Sequence, residues 1–361
     1  MVFSGPRGVL SPASFALPQL QAGELLVKIS LCTLCGSDLH TFEGRRPTPT
    51  PTILGHEILG HVAKLPTGGE VCDVSGRPLK LGDRITWAVA ASCKSCFFCR
   101  QGLPQKCDSL FKYGHQAITD EHSLSGGLAD YCHLASGTAV VLVPDELPDV
   151  VAAPASCATA TVAAALRYAG DCRDRIVLIQ GAGMLGLTAA AMAQDCGASA
   201  VIVTDVDAKR LVTARDFGAN HEVCVKSGPG ELRTLIGQLT DDRGVDVALE
   251  MSGSADATES AIELLRIGGR LILVGAVFPG PPVSFNAETI VRKMLSIQGI
   301  HNYAPEDLVE ALGFLSRSSD EYDFGNLVSS PFALSEAAAA FRHAAESRTL
   351  RVAVRPDGDP E

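Results

Sequence analysis

Four cysteines, Cys93, Cys96, Cys99 and Cys107, stand in a C-x2-C-x2-C-x7-C pattern; upstream of them lie Cys35 and the triplet Gly55-His56-Glu57. Thiolate and imidazole are the donors that zinc prefers, and the two groupings point to two kinds of site. Four thiolates complete a tetrahedron and can only hold structure. A Cys/His set with one position open can act on a bound oxygen as a Lewis acid. The lobe also opens like a bacterial ferredoxin motif, in which the fourth cysteine follows about three residues on and precedes proline. Here Cys107 comes later and Asp108 follows it, so structural zinc is expected, with Lys94, Arg100 and Lys106 offsetting thiolate charge.

A second chemistry sits downstream. Gly181-Ala-Gly183-Met184-Leu185-Gly186 follows an apolar run and opens a helical pattern, where backbone N–H groups can approach a pyrophosphate at the positive helix end. The next apolar run ends at Asp205, at about the twenty-residue spacing expected of a carboxylate that accepts from an adenosine ribose. Strand, turn, helix and acid in that order predict a dinucleotide site. A carboxylate repels a 2′-phosphate, so NAD is expected over NADP, although Lys209 and Arg210 stand close.

These motifs need elements to hold them. Before position 155 the chain is Gly/Pro-rich with strand-like runs such as Leu25-Leu-Val-Lys-Ile-Ser30. From 175 onward, apolar runs at 175–179, 200–204, 245–249 and 270–274 read as buried parallel strands. Helices are expected over 188–196, 207–217 and 255–267, stopped by Gly197, Gly218 and Gly268. Repeated strand–helix units imply an α/β chain with a doubly wound parallel sheet. The segment 71–79 reads as a hairpin, and the acidic tail after Pro356 is expected to fray.

With 361 residues and 46% hydrophobic content, the chain can bury a large core in two domains. It carries 41 acidic against 30 basic residues, a net charge of -11, with no basic run to follow a phosphate backbone; nucleic acid is not an expected partner. No segment approaches membrane-spanning length and the N-terminus lacks a leader pattern, so a cytoplasmic protein without membrane attachment is expected. Twelve cysteines then suit metal ligation and burial better than disulfides.

Taken together, Cys35-Gly-Ser-Asp-Leu-His40, Gly55-His-Glu57, the cysteine lobe, Gly181–Gly186 and Asp205 resemble the zinc-dependent medium-chain alcohol dehydrogenases, over nearly the whole chain. Segments 84–87, 103–107 and 155–160 are further similar to a branch associated with phosphonate catabolism. The resemblance implies a GroES-like β-rich catalytic domain over 1–158 and 301–361, with the lobe at 93–107, and a Rossmann domain over 159–300. It implies two zinc ions per chain, NAD, a homodimer or homotetramer, and reversible hydride transfer between an alcohol or polyol and the nicotinamide in a cleft between domains.

By the same resemblance, Cys35, His56 and Cys157 are the ligands of catalytic zinc, and Glu57 is a carboxylate beside the metal that can ligate it. Asp38 orients His56, Ser37 meets the alcohol, and His40 passes a proton to solvent. Arg351 is expected to return to the pyrophosphate, and Gly275, Ala276 and Gly299 to hold the nicotinamide amide, with Arg210 beside Asp205. By residue type alone Cys157 is an ordinary packed cysteine. Cys32, which makes a C-x2-C with Cys35, is expected to be buried, and Phe97 and Phe98 to pack in the lobe. His61, His115, His122 and His133 default to structural or surface roles. The competing reading is a non-catalytic NAD(P)-binding protein, or a zinc-independent quinone or enoyl reductase of the same fold; such relatives typically lack the metal ligands present here.

Overall fold

The computed structural model describes residues 1–6, 10–347 and 349–358, which leaves most of the acidic tail outside it. The chain divides into two compact units, one of residues 1–160 and 304–361, the other of residues 161–303.

The first unit is built on a seven-stranded sheet. Its longest strand, Leu25–Leu34, pairs antiparallel with Glu57–Lys64, Tyr131–Leu134 and Val352–Arg355. Alternation is lost along 25–34 because this strand is covered on both faces; only Lys28 is exposed. In its register Thr33 faces Glu57, and the strand runs straight into Cys35, the cap of the helix Gly36–Phe42. Segment 71–79 folds back on itself, with Leu79 N–H donating to Val71 O at 2.8 Å and a bridge between Cys72 and Pro78. The cysteine lobe hangs outside the sheet as one helical turn, Phe97–Arg100, and one 3-10 turn, Pro104–Lys106, neither of which buries a side chain.

The second unit is a six-stranded parallel sheet in the order 221–224, 200–205, 176–180, 245–250, 265–273, 296–299. The order reverses between 176–180 and 245–250, and ligands of doubly wound sheets bind at the carboxyl ends of strands at such a point. One expected element differs. The helix begun at Ala255 stops at Leu264, and Gly268 is no helix stop: it lies inside the strand Leu265–Leu273. Leu265 leaves the helix with extended backbone (φ -69, ψ 141) and pairs with Val245, where its side chain is buried. Gly268 (φ +74) and Gly269 then carry an irregularity of register in that strand. Among the described residues no single helix is long and apolar enough to cross a membrane.

Gly186 fixes how closely the first helix approaches its strand, because a Cβ there would lie 1.7 Å from the Gly181 carbonyl oxygen. A Gly186→Ala protein is expected to lose about 1–3 kcal/mol of stability, read as an earlier urea midpoint, together with weakened NADH binding in a fluorescence titration.

Candidate active site

Cys35, His56, Glu57 and Cys157, far apart in sequence, bring one ligand atom each within 4.8 Å of one another. Cys35 is presented by a helix cap. Its Sγ accepts from Ser37 N–H at 3.3 Å, and Asp38 Oδ2 accepts from Cys35 N–H at 3.0 Å, a reciprocal pair that fixes the thiol's direction. Asp38 has a second task. Its Oδ1 lies 3.1 Å from His56 Nδ1, which assigns the ring proton to Nδ1 and leaves Nε2 as a lone pair facing Cys35 Sγ at 3.3 Å. Asp38 is wholly buried in the first turn of this helix. Cys157 lies between a 3-10 turn and the helix Ala158–Ala169.

The two sulfurs divide one proton unequally. The hydrogen bond from Cys157 and the neighbouring His56 hold the Cys35 thiol well below its ordinary range, while that bond and burial push Cys157 well above it. Burial pushes the Glu57 carboxyl up to about 7, against the downward pull of Arg351. Glu57 is enclosed by donors: Thr33 Oγ1 at 2.5 Å, and Arg351 Nε at 2.9 and 2.8 Å from its two oxygens.

Arg351 therefore has a partner that the sequence reading did not include. It is not a surface arginine. Its Nε is committed to Glu57 and its Nη1 to the Leu350 carbonyl at 2.9 Å, and only 8% of the residue is exposed. Neither Thr33 nor this pairing was legible beforehand, because the partners are 24 and 294 residues from Glu57 and meet only through strand register.

Two thiols and a tautomer-fixed imidazole suit zinc, whose tetrahedral bonds separate sulfur and nitrogen ligands by about 3.5 Å. Ser37 Oγ lies 3.0 Å from Cys35 Sγ, and His40 stands one turn further along the same helix, half-buried, with burial and then Arg45 lowering its pKa. The ring of His115, buried, lies 5.3 Å from that of His56. Cys32 is wholly buried against Gly55 and Gly127.

In the lobe the four sulfurs of Cys93, Cys96, Cys99 and Cys107 also lie within 4.8 Å of one another. Backbone N–H groups of Cys93, Cys96 and Ser109 donate to lobe sulfurs at 3.2–3.4 Å, an arrangement that suits thiolates. Phe97 and Phe98 meet edge to face at 5.4 Å, but both are exposed.

In the second unit a crevice of about 820 Å³ is lined by Gln180, Gly181, Gly183, Asp205, Arg210 and Ser252, among others. Gly183 caps the helix Met184–Asp195, and Gly181 holds φ +109. Asp205 accepts from Ala182 N–H and Asp207 N–H, each at 2.8 Å, so it clamps the glycine turn; a carboxylate has about four acceptor positions, which leaves capacity for a ribose. Met184 and Gly186 are buried in the helix start, Gly275 packs on Gly253, and Gly299 ends the edge strand.

The sequence matches the family profiles described as alcohol dehydrogenase GroES-like domain, over residues 21–145, and zinc-binding dehydrogenase, over residues 185–317. It is 30% identical to a sorbitol dehydrogenase of Halalkalibacterium halodurans, covering 92% of each chain. It is 32% identical to an L-threonine 3-dehydrogenase of Colwellia psychrerythraea, covering 79% of this chain and 78% of that one. Its fold superposes on a Thermotoga maritima alcohol dehydrogenase with TM-score 0.93 and 31% identity, covering 99% and 98% of the two chains. The chain belongs to the zinc-dependent medium-chain alcohol dehydrogenases, oxidoreductases that act on CH–OH groups with zinc and a nicotinamide cofactor.

Cys157→Ala is expected to lower bound zinc by one ion per chain in metal analysis and to abolish turnover. Replacing Arg351 by Met leaves the Glu57 carboxylate buried without its cation. A loss of up to about 3–5 kcal/mol in urea unfolding at neutral pH is expected.

Proposed function

We propose that this protein oxidises an alcohol bearing an anionic group, or reduces the matching carbonyl, with Cys35, His56 and Cys157 holding catalytic zinc, Glu57 beside it, and Cys93, Cys96, Cys99 and Cys107 holding a structural ion. The observation that carries the reading is the meeting of two thiols, an imidazole and a carboxylate at one buried point. Zinc held there would supply a Lewis acid for the alcohol oxygen, and a bound nicotinamide would supply the hydride acceptor.

The chain's own residues do the rest. Asp38 keeps His56 in the tautomer that ligates. Ser37 accepts the alcohol proton and His40 hands it to solvent. The Glu57–Arg351 pair keeps a carboxylate beside the metal without a net buried charge. Gly181–Gly186, Asp205 and Arg210 hold the dinucleotide, and Asp205 favours NAD. Gly275, Ala276 and Gly299 are weaker candidates for the nicotinamide end.

The anionic substrate is supported by two cations near the metal ligands. Lys112 lies on a short strand whose following turn packs Gly114 against Gly55, next to His56. Burial, then Arg46, lower the Lys112 pKa, and the sulfurs of Cys157 and Cys35 raise it, which places all four groups within electrostatic reach. Among the described residues Lys112 and Arg46 form no ion pair with a carboxylate, and zinc would neutralise the thiolates. The similarity of 84–87, 103–107 and 155–160 to a phosphonate-associated branch agrees with this charge. Relatives named for sorbitol and threonine keep the alcohol itself broad.

A homodimer or homotetramer is supported by the exposed edge strand Ser296–Gly299, flanked by Val291 and Met294, each 74% exposed. We place the protein in the cytoplasm, where its thiols stay reduced.

The test is a metal analysis with an NAD- and NADP-linked screen of alcohols paired with and without a phosphate, phosphonate or carboxylate. About two zinc ions and faster turnover of the anionic member of each pair are expected. Lys112→Met should cost that member at least about tenfold in kcat/KM, roughly 1.4 kcal/mol, and leave the neutral one unchanged. Loss of turnover with every alcohol despite full zinc would overturn the reading.

A further inference from the structure

Glu250 is a wholly buried carboxylate with no salt-bridge partner among the described residues. Such a group is costly to keep, and in its place an amide or an apolar side chain would cost less. It ends the strand Val245–Glu250, at the point where the strand order reverses, with Gln180 as its register partner on one side and Leu273 on the other.

What the carboxylate does is visible in its hydrogen bonds. Oε1 accepts from Ser252 N–H at 2.7 Å, Ser252 Oγ–H at 2.5 Å and Gly253 N–H at 2.7 Å. Ser252 Oγ in turn accepts from Ser254 N–H at 3.1 Å, and Ser254 caps the helix Ala255–Leu264. The main-chain oxygen of the same residue accepts from Val274 N–H at 2.9 Å and Gly275 N–H at 3.0 Å. Glu250 therefore ties together the two turns that leave the neighbouring strand ends.

Those turns stand directly against the glycine loop. A Cβ on Gly181 would come within 3.2 Å of Ser252, and one on Gly275 within 2.2 Å of Gly253 N. Ser252 and Ser254 line the same crevice as Gly181, Gly183 and Asp205. The glycine loop itself is held from the other side by Asp205. Meanwhile Glu250 Oε2 and Gln180 Oε1 are both buried with no donor among the described residues, and the carboxylate's hydrogen bonds there all go to the turn.

We propose that Glu250 is a positioning residue for the dinucleotide: by gathering three donors from Ser252 and Gly253 it sets the wall of the crevice opposite Asp205. It touches no substrate and carries out no proton transfer. This rests on the reading that the Gly181–Gly186 loop binds the cofactor, and it goes beyond that reading by assigning the wall to one buried side chain that the glycine motif does not include. Glu250→Gln keeps an oxygen for the same three donors and removes the charge. Glu250→Asp keeps the charge but withdraws the oxygen by one methylene.

The test is an NADH titration by fluorescence, with urea unfolding and zinc analysis on the same samples. For Glu250→Asp the Kd for NADH is expected to rise at least about tenfold, with KM for the cofactor following it, while zinc content and KM for the alcohol at saturating cofactor hold. Glu250→Gln should restore the wild-type Kd. Failure of the wild-type protein to bind NADH or NADPH would remove the cofactor reading itself. If the wild type binds and a folded Glu250→Asp binds equally well, or if Glu250→Gln is as weak as Glu250→Asp, the positioning role alone is overturned. Should Glu250→Asp not fold, Glu250→Gln with impaired binding would overturn it and with wild-type binding would uphold it.

Discussion

Everything in the first unit depends on burying charge in pairs. Asp38, His56, Glu57 and Arg351 are all at most 8% exposed, and each carboxylate has a partner: Asp38 bonds to Nδ1 of His56, and Glu57 pairs with Arg351. An isolated ion at such a place costs several kcal/mol, whereas a hydrogen-bonded pair is tolerated. The pairs also convert charge into direction. Asp38 sets which nitrogen of His56 faces the thiols, and Arg351 with Thr33 holds Glu57 at the edge of the same group of ligand atoms.

The second unit solves a different problem, the close approach of main chain to main chain around the crevice that Gly181 and Asp205 line. Its solution is to remove side chains. Gly181, Gly186, Gly253 and Gly275 bring strand ends so close that a methyl group at any of them would meet neighbouring atoms. With side chains absent, polar groups from the neighbouring strands hold the turns in place, Asp205 on one side and Glu250 on the other. The lobe is simpler still. It buries no side chain in its helical turns, and its four sulfurs gather at one point that could hold a metal ion.

Where sequence reasoning failed, the failure was one of range. Gly268 had the sequence signature of a helix stop, but burial of Leu265 against Val245 ended the helix earlier and turned the glycine into part of a strand. The pairing of Arg351 Nε with Glu57 spans 294 residues and leaves no local pattern to read. Lys112 offered no local signal at all; its meaning comes from the turn that carries Gly114 against Gly55.

The sequence by itself determined what is local: the four-cysteine lobe, whose ligands lie within one short loop, the glycine turn with its acid one strand later, and the alternation of strands and helices that forces a parallel sheet. Periodicity and short spacing carry that information because neighbours in sequence must be neighbours in space. Tertiary structure alone decided that Cys157 joins Cys35 and His56, that Thr33 and Arg351 enclose Glu57, and that Glu250 holds the turns beside the glycine loop. These meetings are made by strand register and by the need to pair buried charge, and neither is written in any short stretch of chain.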